Sequence, residues 1–229
     1  MFGINFSSGD LVSTSYEVAT AAMLATAVLC FIGLSWVSDR WRLPVALAGV
    51  ALLASGFTYL GSSVTWLLTQ KMTAGPRYVG WFVVEPMLVA SVFFLARMAG
   101  PVSVGVFWRT TAAAILMVLC RYLGDARIFD PTLGVLLSIA FWLYILGELY
   151  FGSMSEAVRK ASRPMRLGYF WIRLIMTIGW AAVPVLHFVD TVIGAGHAPA
   201  VVLLYTLADL VNLPTPCLIV LAVAGQERY

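Results

Sequence analysis

Charged residues are scarce throughout the 229-residue chain. Only 11% of its residues are Asp, Glu, Lys or Arg, whereas soluble domains carry about 25%. Hydrophobic residues make up 61% of the sequence, and this balance excludes a soluble globular protein. Crossing a bilayer takes about 20 apolar residues per helix, and seven stretches qualify: 14–37, 43–70, 78–99, 102–123, 131–153, 168–190 and 198–224. We therefore predict an all-α membrane protein, with one seven-helix transmembrane bundle as a single domain over residues 1–229.

Residues that bind metals or form disulfides are also few. Cys30, Cys120 and Cys217 lie inside apolar stretches without metal-ligand spacing, so neither a metal site nor a disulfide framework is predicted. The N-terminus has no basic region ahead of an apolar core, and we expect no cleaved signal peptide. The sequence shows no nucleophile–base pair and no phosphate-binding loop, so we do not predict an enzyme.

Lysine occurs only twice, at Lys71 and Lys160, and both residues flank apolar stretches. Ten basic residues flank one side of the predicted bundle, whereas three, Lys71, Arg121 and Arg127, flank the other. Because cytoplasmic loops carry the excess of Lys and Arg, we predict a multi-pass plasma-membrane protein with its N-terminus outside and its C-terminus in the cytoplasm. The cations are scattered, so the predicted partner is the lipid bilayer and not nucleic acid.

Ionisable side chains at the predicted spans are functional candidates, because charge inside a bilayer is costly. The candidates are Arg77, Glu85, Glu148, His187 and Asp209. Each also has a purely structural interpretation. Glu85 precedes Pro86 and could hydrogen-bond a freed backbone carbonyl while protonated. Glu148 could face a helix interface, and His187 could be a hydrogen-bonded core histidine.

A polar network is predicted around Asp209, which lies near the middle of the last span, one turn after Tyr205. On the third span, Arg77, Trp81, Glu85 and Leu88 recur at helical spacing and share one side of the helix. We predict that Asp209 pairs with Arg77, directly or through a water molecule, and that Tyr205 and Glu85 complete the network. The alternative is that the pair only fixes helix packing.

Three tryptophans lie in the middle of predicted spans: Trp81, Trp142 and Trp180. Tryptophan in membrane proteins usually prefers the two interfaces, so this placement is informative. Two interpretations remain open from the residues alone. The tryptophans either converge at one depth and line a flat apolar ligand, or they only pack the bundle.

Four segments in order resemble the microbial (type 1) rhodopsin family. The third span, 77–88, has Arg-Tyr-Val-Gly-Trp and then Val-Glu-Pro-Met-Leu, and it is similar to the family pattern Arg-Tyr-x-Asp-Trp followed by Thr-Thr-Pro-Leu-Leu. The other segments are Phe-Trp-Leu-Tyr-Ile-Leu at 141–146, Trp-Ala-Ala-Val-Pro at 180–184 and Asp209. The resemblance extends over the whole chain and implies the seven-helix rhodopsin fold.

The departures from the family pattern concern the chromophore. In the family that this chain resembles, a lysine one turn after the corresponding aspartate carries retinal as a Schiff base. In this chain the aspartate is Asp209, and Leu213 stands at the place of the lysine. Gly80 stands where the family has the aspartate that neutralises the Schiff base. Val84 replaces a supporting hydroxyl, and Ser91 replaces the cytoplasmic proton-donor carboxylate of pumps.

Two further departures concern the shape of the site. Trp142 stands where the family often has methionine beside the retinal ring, which predicts a shorter pocket. Pro214 and Pro216 follow Leu213, and each removes a backbone donor, so we predict a bend there. By resemblance, the ligand pocket consists of Trp81, Glu85, Leu88, Ser138, Trp142, Trp180, Val183, Pro184, His187, Asp209 and Leu213.

The favoured functional hypothesis is a rhodopsin-like protein without a covalent retinal site. It would be a non-pumping binding, sensory or regulatory protein that holds retinal, another polyene or a lipid non-covalently. Two alternatives stay open: a retinal photoreceptor or light-driven proton pump inactivated by loss of its lysine, and a membrane enzyme or regulator of carotenoid or retinoid metabolism. The resemblance also implies a homo-oligomer, a trimer or pentamer, or a hetero-oligomer with other rhodopsins.

Overall fold

The computed structural model describes residues 11–69, 74–189 and 199–227, and these residues contain helices and turns but no strand. In chain order the helices are α1 (Leu11–Gly33), α2 (Asp39–Thr69), α3 (Ala74–Ala99), α4 (Val104–Asp125), α5 (Pro131–Phe151), α6 (Ser153–Arg159), α7 (Arg163–Leu174), α8 (Trp180–His187), α9 (Pro199–Asn212) and α10 (Pro214–Gln226). A π-helical turn, Ile175–Gly179, joins α7 to α8.

The described helices form seven spans long and apolar enough to cross a membrane, which confirms the predicted number. The fifth span comprises α5 and α6, the sixth α7 and α8, and the seventh α9 and α10. Spans one to five pack against each other in chain order, and the seventh closes the bundle on α1 and α2.

Most of the spans are apolar on all sides, as is typical of helices that cross a membrane, whereas α7 carries three arginines. On α1, the buried residues Ala19, Met23, Ala27 and Cys30 recur every three or four positions and face α2. Large apolar side chains on other faces remain exposed, and Leu68 is 80% exposed. A soluble protein rarely tolerates such surfaces, so this pattern suits a lipid-facing exterior.

The seventh span is interrupted where the two prolines follow Leu213. Helix α9 ends at Asn212 and α10 begins at Pro214, so the helix is interrupted at the place where the bend was predicted. Pro214 and Pro216 have no backbone N–H, and each therefore removes one hydrogen bond to the preceding turn. The break places Leu213 at the start of α10 with its side chain inside the bundle, 4% exposed.

The π turn of the sixth span fastens three spans at one depth. A π turn widens the helix and interrupts its regular hydrogen bonding. The Trp142 indole N–H donates to the carbonyl of Met176 over 2.9 Å, and the Asn212 side-chain amide donates to the carbonyl of Gly179 over 2.8 Å. The fifth and seventh spans are thereby both tied to the turn that precedes Trp180.

Arg121 departs from the sequence prediction, which placed it among the basic residues flanking the membrane. Helix α4 continues to Asp125, so Arg121 lies one turn inside the helix end, and it is only 2% exposed. Its buried position follows helical periodicity, because Met117 and Gly124 on the same face are also buried. Arg121 is therefore a residue of the bundle interior.

The α4–α5 contact depends on a close approach of two glycines. A Cβ atom added at Gly134 would lie 2.8 Å from the Cys120 carbonyl oxygen and 2.8 Å from the Gly124 Cα. Because both are backbone atoms, we expect Gly134→Ala to push the helices apart and to lower stability by about 1–3 kcal/mol. The thermal unfolding midpoint of the purified protein in detergent measures this loss.

The matched control is Gly147→Ala on the same helix, where an added Cβ has no neighbour within 4 Å. We expect this variant to keep or raise the unfolding midpoint, since Ala is the better helix former. Equal midpoints for the two variants would contradict the close packing of Gly134 against α4.

Candidate functional site

Side chains from five spans converge on a small cavity in the middle of the bundle. Its volume is about 20 Å³, room for about one water molecule. The lining residues come from spans three to seven: Trp81, Glu85, Met117, Arg121, Ser138, Ile139, Trp142, Trp180, Val183, Pro184, Asp209, Asn212 and Leu213. We call this space the central cavity.

Most of the predicted pocket residues line the central cavity. Leu88 does not, and it packs instead in the apolar core. The side chain of His187 lies outside the described residues. Glu148 accepts a hydrogen bond from Ser153 over 3.1 Å near the end of α5, and it is not among the cavity's lining residues.

The three mid-span tryptophans surround the central cavity. Trp81 and Trp180 are each 6% exposed, and Trp142 is held by its indole hydrogen bond to the π turn. A buried indole usually needs a partner for its N–H, so this bond fixes the orientation of the Trp142 ring. The arrangement gives the cavity flat aromatic walls.

An ion pair between Glu85 and Arg121 forms the polar side of the central cavity. The Arg121 Nη2 lies 2.7 Å from both carboxylate oxygens of Glu85, and the side chains are 8% and 3% exposed. In this structure Glu85 therefore has Arg121 as its hydrogen-bond partner, and not the backbone carbonyl that the structural alternative invoked. The Arg121 guanidinium also lies 4.9 Å from the centre of the Trp81 ring, a cation–π contact.

Asp209 takes a hydrogen bond from a residue that the sequence did not single out. The Tyr59 hydroxyl donates to Asp209 Oδ2 over 2.7 Å, and both residues are buried. The Arg77 guanidinium lies 4.3 Å from the Tyr205 ring centre and 5.5 Å from that of Trp81.

Arg77 and Asp209 line a second cavity, also of about 20 Å³, which lies among α1, α2, α3 and α9. Tyr59 lines the same cavity and donates its hydrogen bond to Asp209 there. The pairing of Arg77 with Asp209, directly or through a water molecule, remains a prediction.

Gly80 and Ser91, two of the departures from the family pattern, are accommodated by α2. A Cβ atom added at Gly80 would lie 2.6 Å from the Thr58 hydroxyl oxygen, so Thr58 occupies the space of a larger side chain. The Ser91 hydroxyl donates to the carbonyl of Pro44 over 3.0 Å. Both positions therefore serve packing between α2 and α3.

The residues of the central cavity do not fit a covalently attached retinal. Its described lining holds Leu213 and no lysine. Lys160 is exposed at the end of α6, and Lys71 lies outside the described residues. Without an amine in the cavity, a Schiff base has no attachment point there.

An apolar groove between α5 and α8 adjoins the central cavity. Its volume is about 430 Å³, and it shares Ile139, Trp142 and Pro184 with the cavity lining. The outer wall includes Leu136 and Val185, which are 58% and 61% exposed. The groove therefore opens on the outer surface of the bundle.

Sequence reasoning missed Arg121, Asn212 and Tyr59 at these sites. Asn212 follows Asp209 by three positions, so helical spacing could have placed both on one face. The sequence analysis predicted no pocket residue on the fourth span, so Arg121 had no predicted neighbour at helical spacing. For Tyr59 on α2, no local signal indicates a partner on the seventh span.

The Glu85–Arg121 pair generates a test of stability. We expect Glu85→Gln and Arg121→Gln each to lower the free energy of unfolding by about 3–5 kcal/mol, because each leaves one buried charge alone. The double variant Glu85→Gln/Arg121→Gln removes both charges and should be more stable than the sum of the two single losses predicts. Unfolding midpoints of the three proteins measure this coupling, and strictly additive losses would contradict it.

The chain is similar to known proteins over nearly its whole length. A family model described as Bacteriorhodopsin-like protein matches residues 10–224. The green-light absorbing proteorhodopsin of Gamma-proteobacterium EBAC31A08 is 27% identical over 226 residues, 98% of this chain and 91% of that protein. The blue-light absorbing proteorhodopsin of Gamma-proteobacterium Hot 75m4 is 28% identical over 220 residues, 95% of this chain and 88% of that protein.

A solved structure supports the same relationship. The crystal structure of blue light-absorbing proteorhodopsin from Med12 is 25% identical, with a TM-score of 0.81, and the match covers 95% of this chain and 100% of that one.

Proposed function

The chain belongs to the bacteriorhodopsin-like family, and on this premise we propose that it is a non-pumping member that binds an apolar ligand without a covalent bond. The ligand class is retinal or another polyene with one polar end. We propose no catalytic activity. The observation that carries the proposal is the lining of the central cavity, where Leu213 and the Glu85–Arg121 pair stand together.

Charge balance supports the absence of pumping. A protonated Schiff base would bring a cation into the cavity and would need a free carboxylate nearby. Glu85 already pairs with Arg121, so Asp209 is the one other carboxylate among the described lining residues of the cavity. Gly80 supplies no carboxylate, and the Ser91 hydroxyl is bonded to a backbone carbonyl, so no proton donor stands at that position.

The size of the groove supports the binding of an apolar ligand in it. Binding sites for small molecules usually enclose about 300–1,000 Å³, and the groove between α5 and α8 falls in this range at about 430 Å³. The central cavity alone is too small. We therefore place the body of the ligand in the groove, against Trp142 and Pro184.

Unmet hydrogen-bonding atoms support a polar end on the ligand. The Arg121 Nε and the Asn212 Oδ1 are buried, and within the described part of the chain neither has a hydrogen-bond partner. Leaving such a group unsatisfied is costly. A ligand hydroxyl, aldehyde or carboxyl group directed toward the central cavity would satisfy one or both.

We also propose that the N-terminus lies outside the cell and the C-terminus in the cytoplasm. With Arg121 inside the bundle, only Lys71 and Arg127 remain of the three basic residues assigned to the outer side. The excess of ten flanking basic residues on the other side therefore favours this orientation more strongly.

Binding of all-trans retinal to the purified protein tests the ligand class. We expect quenching of tryptophan fluorescence without any visible band that borohydride traps covalently. Leu136→Trp fills the groove and should weaken binding about tenfold, since overpacking costs about 1–3 kcal/mol. The control Leu133→Trp adds the same side chain at an exposed position of α5 that does not line the groove.

Equal affinities of the two tryptophan variants would reject the groove as the binding site. Saturable binding of phospholipid but not of retinal would replace the polyene by a lipid. A light-driven change in the pH of the medium around lipid vesicles that contain the protein would reject the non-pumping proposal.

Leu213→Lys distinguishes this proposal from a pump that has lost only its lysine. The substitution brings an amine into the central cavity. We expect added retinal to form a Schiff base that is largely unprotonated and absorbs in the near ultraviolet, because Glu85 is already paired with Arg121 and Gly80 supplies no carboxylate, which leaves Asp209 alone to balance the cation. The absorption spectrum at neutral pH measures the outcome, and Leu213→Met, which supplies no amine, is the control.

Adding Gly80→Asp should move the absorption into the visible, because it supplies a carboxylate. Thr58→Ala is introduced with it, since the Thr58 hydroxyl and methyl would otherwise lie within 3 Å of the new Cβ. Strong visible absorption from Leu213→Lys alone would show that an existing carboxylate is free to act as counter-ion, and the charge-balance argument would fail.

A further inference from the structure

A further concave site lies where the fifth span ends and the sixth begins, away from the central cavity. It is a pocket of about 320 Å³ between α6 and α7. Three arginines line it, Arg159, Arg166 and Arg173, together with Ser155, Tyr169 and Phe170. We call it the arginine pocket.

The arginines come from two helices and converge because of helical spacing. Arg166 and Arg173 are seven residues apart on the sixth span, which is two turns, so they lie on the same face. Arg159 ends α6 and approaches from the other wall. Within the described chain, none of the three forms an ion pair with a carboxylate.

Two of the guanidinium groups are held in place. Arg166 Nη1 donates to the carbonyl of Ala161 over 2.8 Å, and Arg173 lies 4.3 Å from the centre of the Tyr150 ring. A guanidinium fixed in this way keeps its other N–H groups for a bidentate contact with an oxyanion. The pocket therefore presents oriented N–H donors that can bind an anion.

The charge of the surrounding segment favours the same ligand. Residues 153–173 contain five basic residues, Arg159, Lys160, Arg163, Arg166 and Arg173, and one acidic residue, Glu156, a difference of +4. Glu156 is exposed and is not among the residues that line the pocket. An anion thus meets a strongly positive local field.

The position of the pocket identifies a lipid as the source of the anion. The sixth span begins at Arg163, so the pocket lies where the chain enters the membrane. Leu167, Phe170 and Trp171 beside it are 52%, 44% and 47% exposed. Exposed apolar and tryptophan side chains next to arginines are typical of the headgroup region.

We propose that the arginine pocket binds the phosphate of an anionic phospholipid headgroup. The phosphate contacts the three guanidinium groups, and the acyl chains run along the apolar surface at Phe170. Basic pockets between transmembrane helices bind such headgroups in other membrane proteins. The site is independent of the ligand proposed for the central cavity.

Native mass spectrometry of the full-length protein in detergent tests the proposal. The probes are phosphatidylglycerol, phosphatidylcholine with the same acyl chains, and inorganic phosphate at the same concentration. We expect phosphatidylglycerol to be retained in preference to the other two. Arg166→Gln should weaken its binding about fivefold, as expected for loss of one cation near the headgroup.

The control is Arg163→Gln, which removes the same charge from the same segment but does not line the pocket. It should leave phosphatidylglycerol binding within about twofold. Helix content measured by circular dichroism shows whether each variant folds. If Arg166→Gln fails to fold, Arg159→Gln on α6 provides the same test from the other wall.

Three outcomes would overturn the proposal. These are equal retention of phosphatidylglycerol and phosphatidylcholine, equal losses from Arg163→Gln and Arg166→Gln, and equal occupancy by inorganic phosphate. The last would assign the pocket to a soluble phosphate instead of a lipid.

Discussion

The buried contact between Glu85 and Arg121 determines what the centre of this bundle can do. Charges in a low-dielectric interior persist only when they are paired and hydrogen-bonded, and this pair meets that requirement with 2.7 Å contacts between α3 and α4. It also commits the carboxylate on α3 that lines the central cavity to a fixed cation of the protein. A site that has its own permanent cation differs in chemistry from one whose cation is carried by a chromophore.

The sequence was sufficient to predict the seven spans and the family, and it indicated the place at which the seventh helix is interrupted. These follow from hydropathy, from ordered motifs and from proline chemistry, all of which act locally along the chain. Arg121 was misassigned because it stands only two residues before the end of the predicted stretch 102–123 and was counted with the flanking residues, whereas α4 continues to Asp125. Whether a charged residue near a helix end lies inside the bundle depends on the face of the helix that it occupies. Hydropathy alone does not indicate that face.

The partner of Asp209 could not be predicted, for a different reason. Whether Asp209 meets Arg77 or Tyr59 depends on the register and rotation of α2, α3 and α9 relative to each other. Tyr59 lies 150 positions away in the chain, and no motif links the two residues. Contacts of this kind are set by packing of whole helices, in which the π turn of the sixth span and the glycine contact of α4 with α5 take part.

The close approach of Thr58 to Gly80 restricts which side chains position 80 can carry. A Cβ atom there would lie 2.6 Å from the Thr58 hydroxyl oxygen, so a larger residue at position 80 needs an accompanying change on α2. The two positions are therefore coupled, and the effect of a substitution at either one depends on the residue at the other.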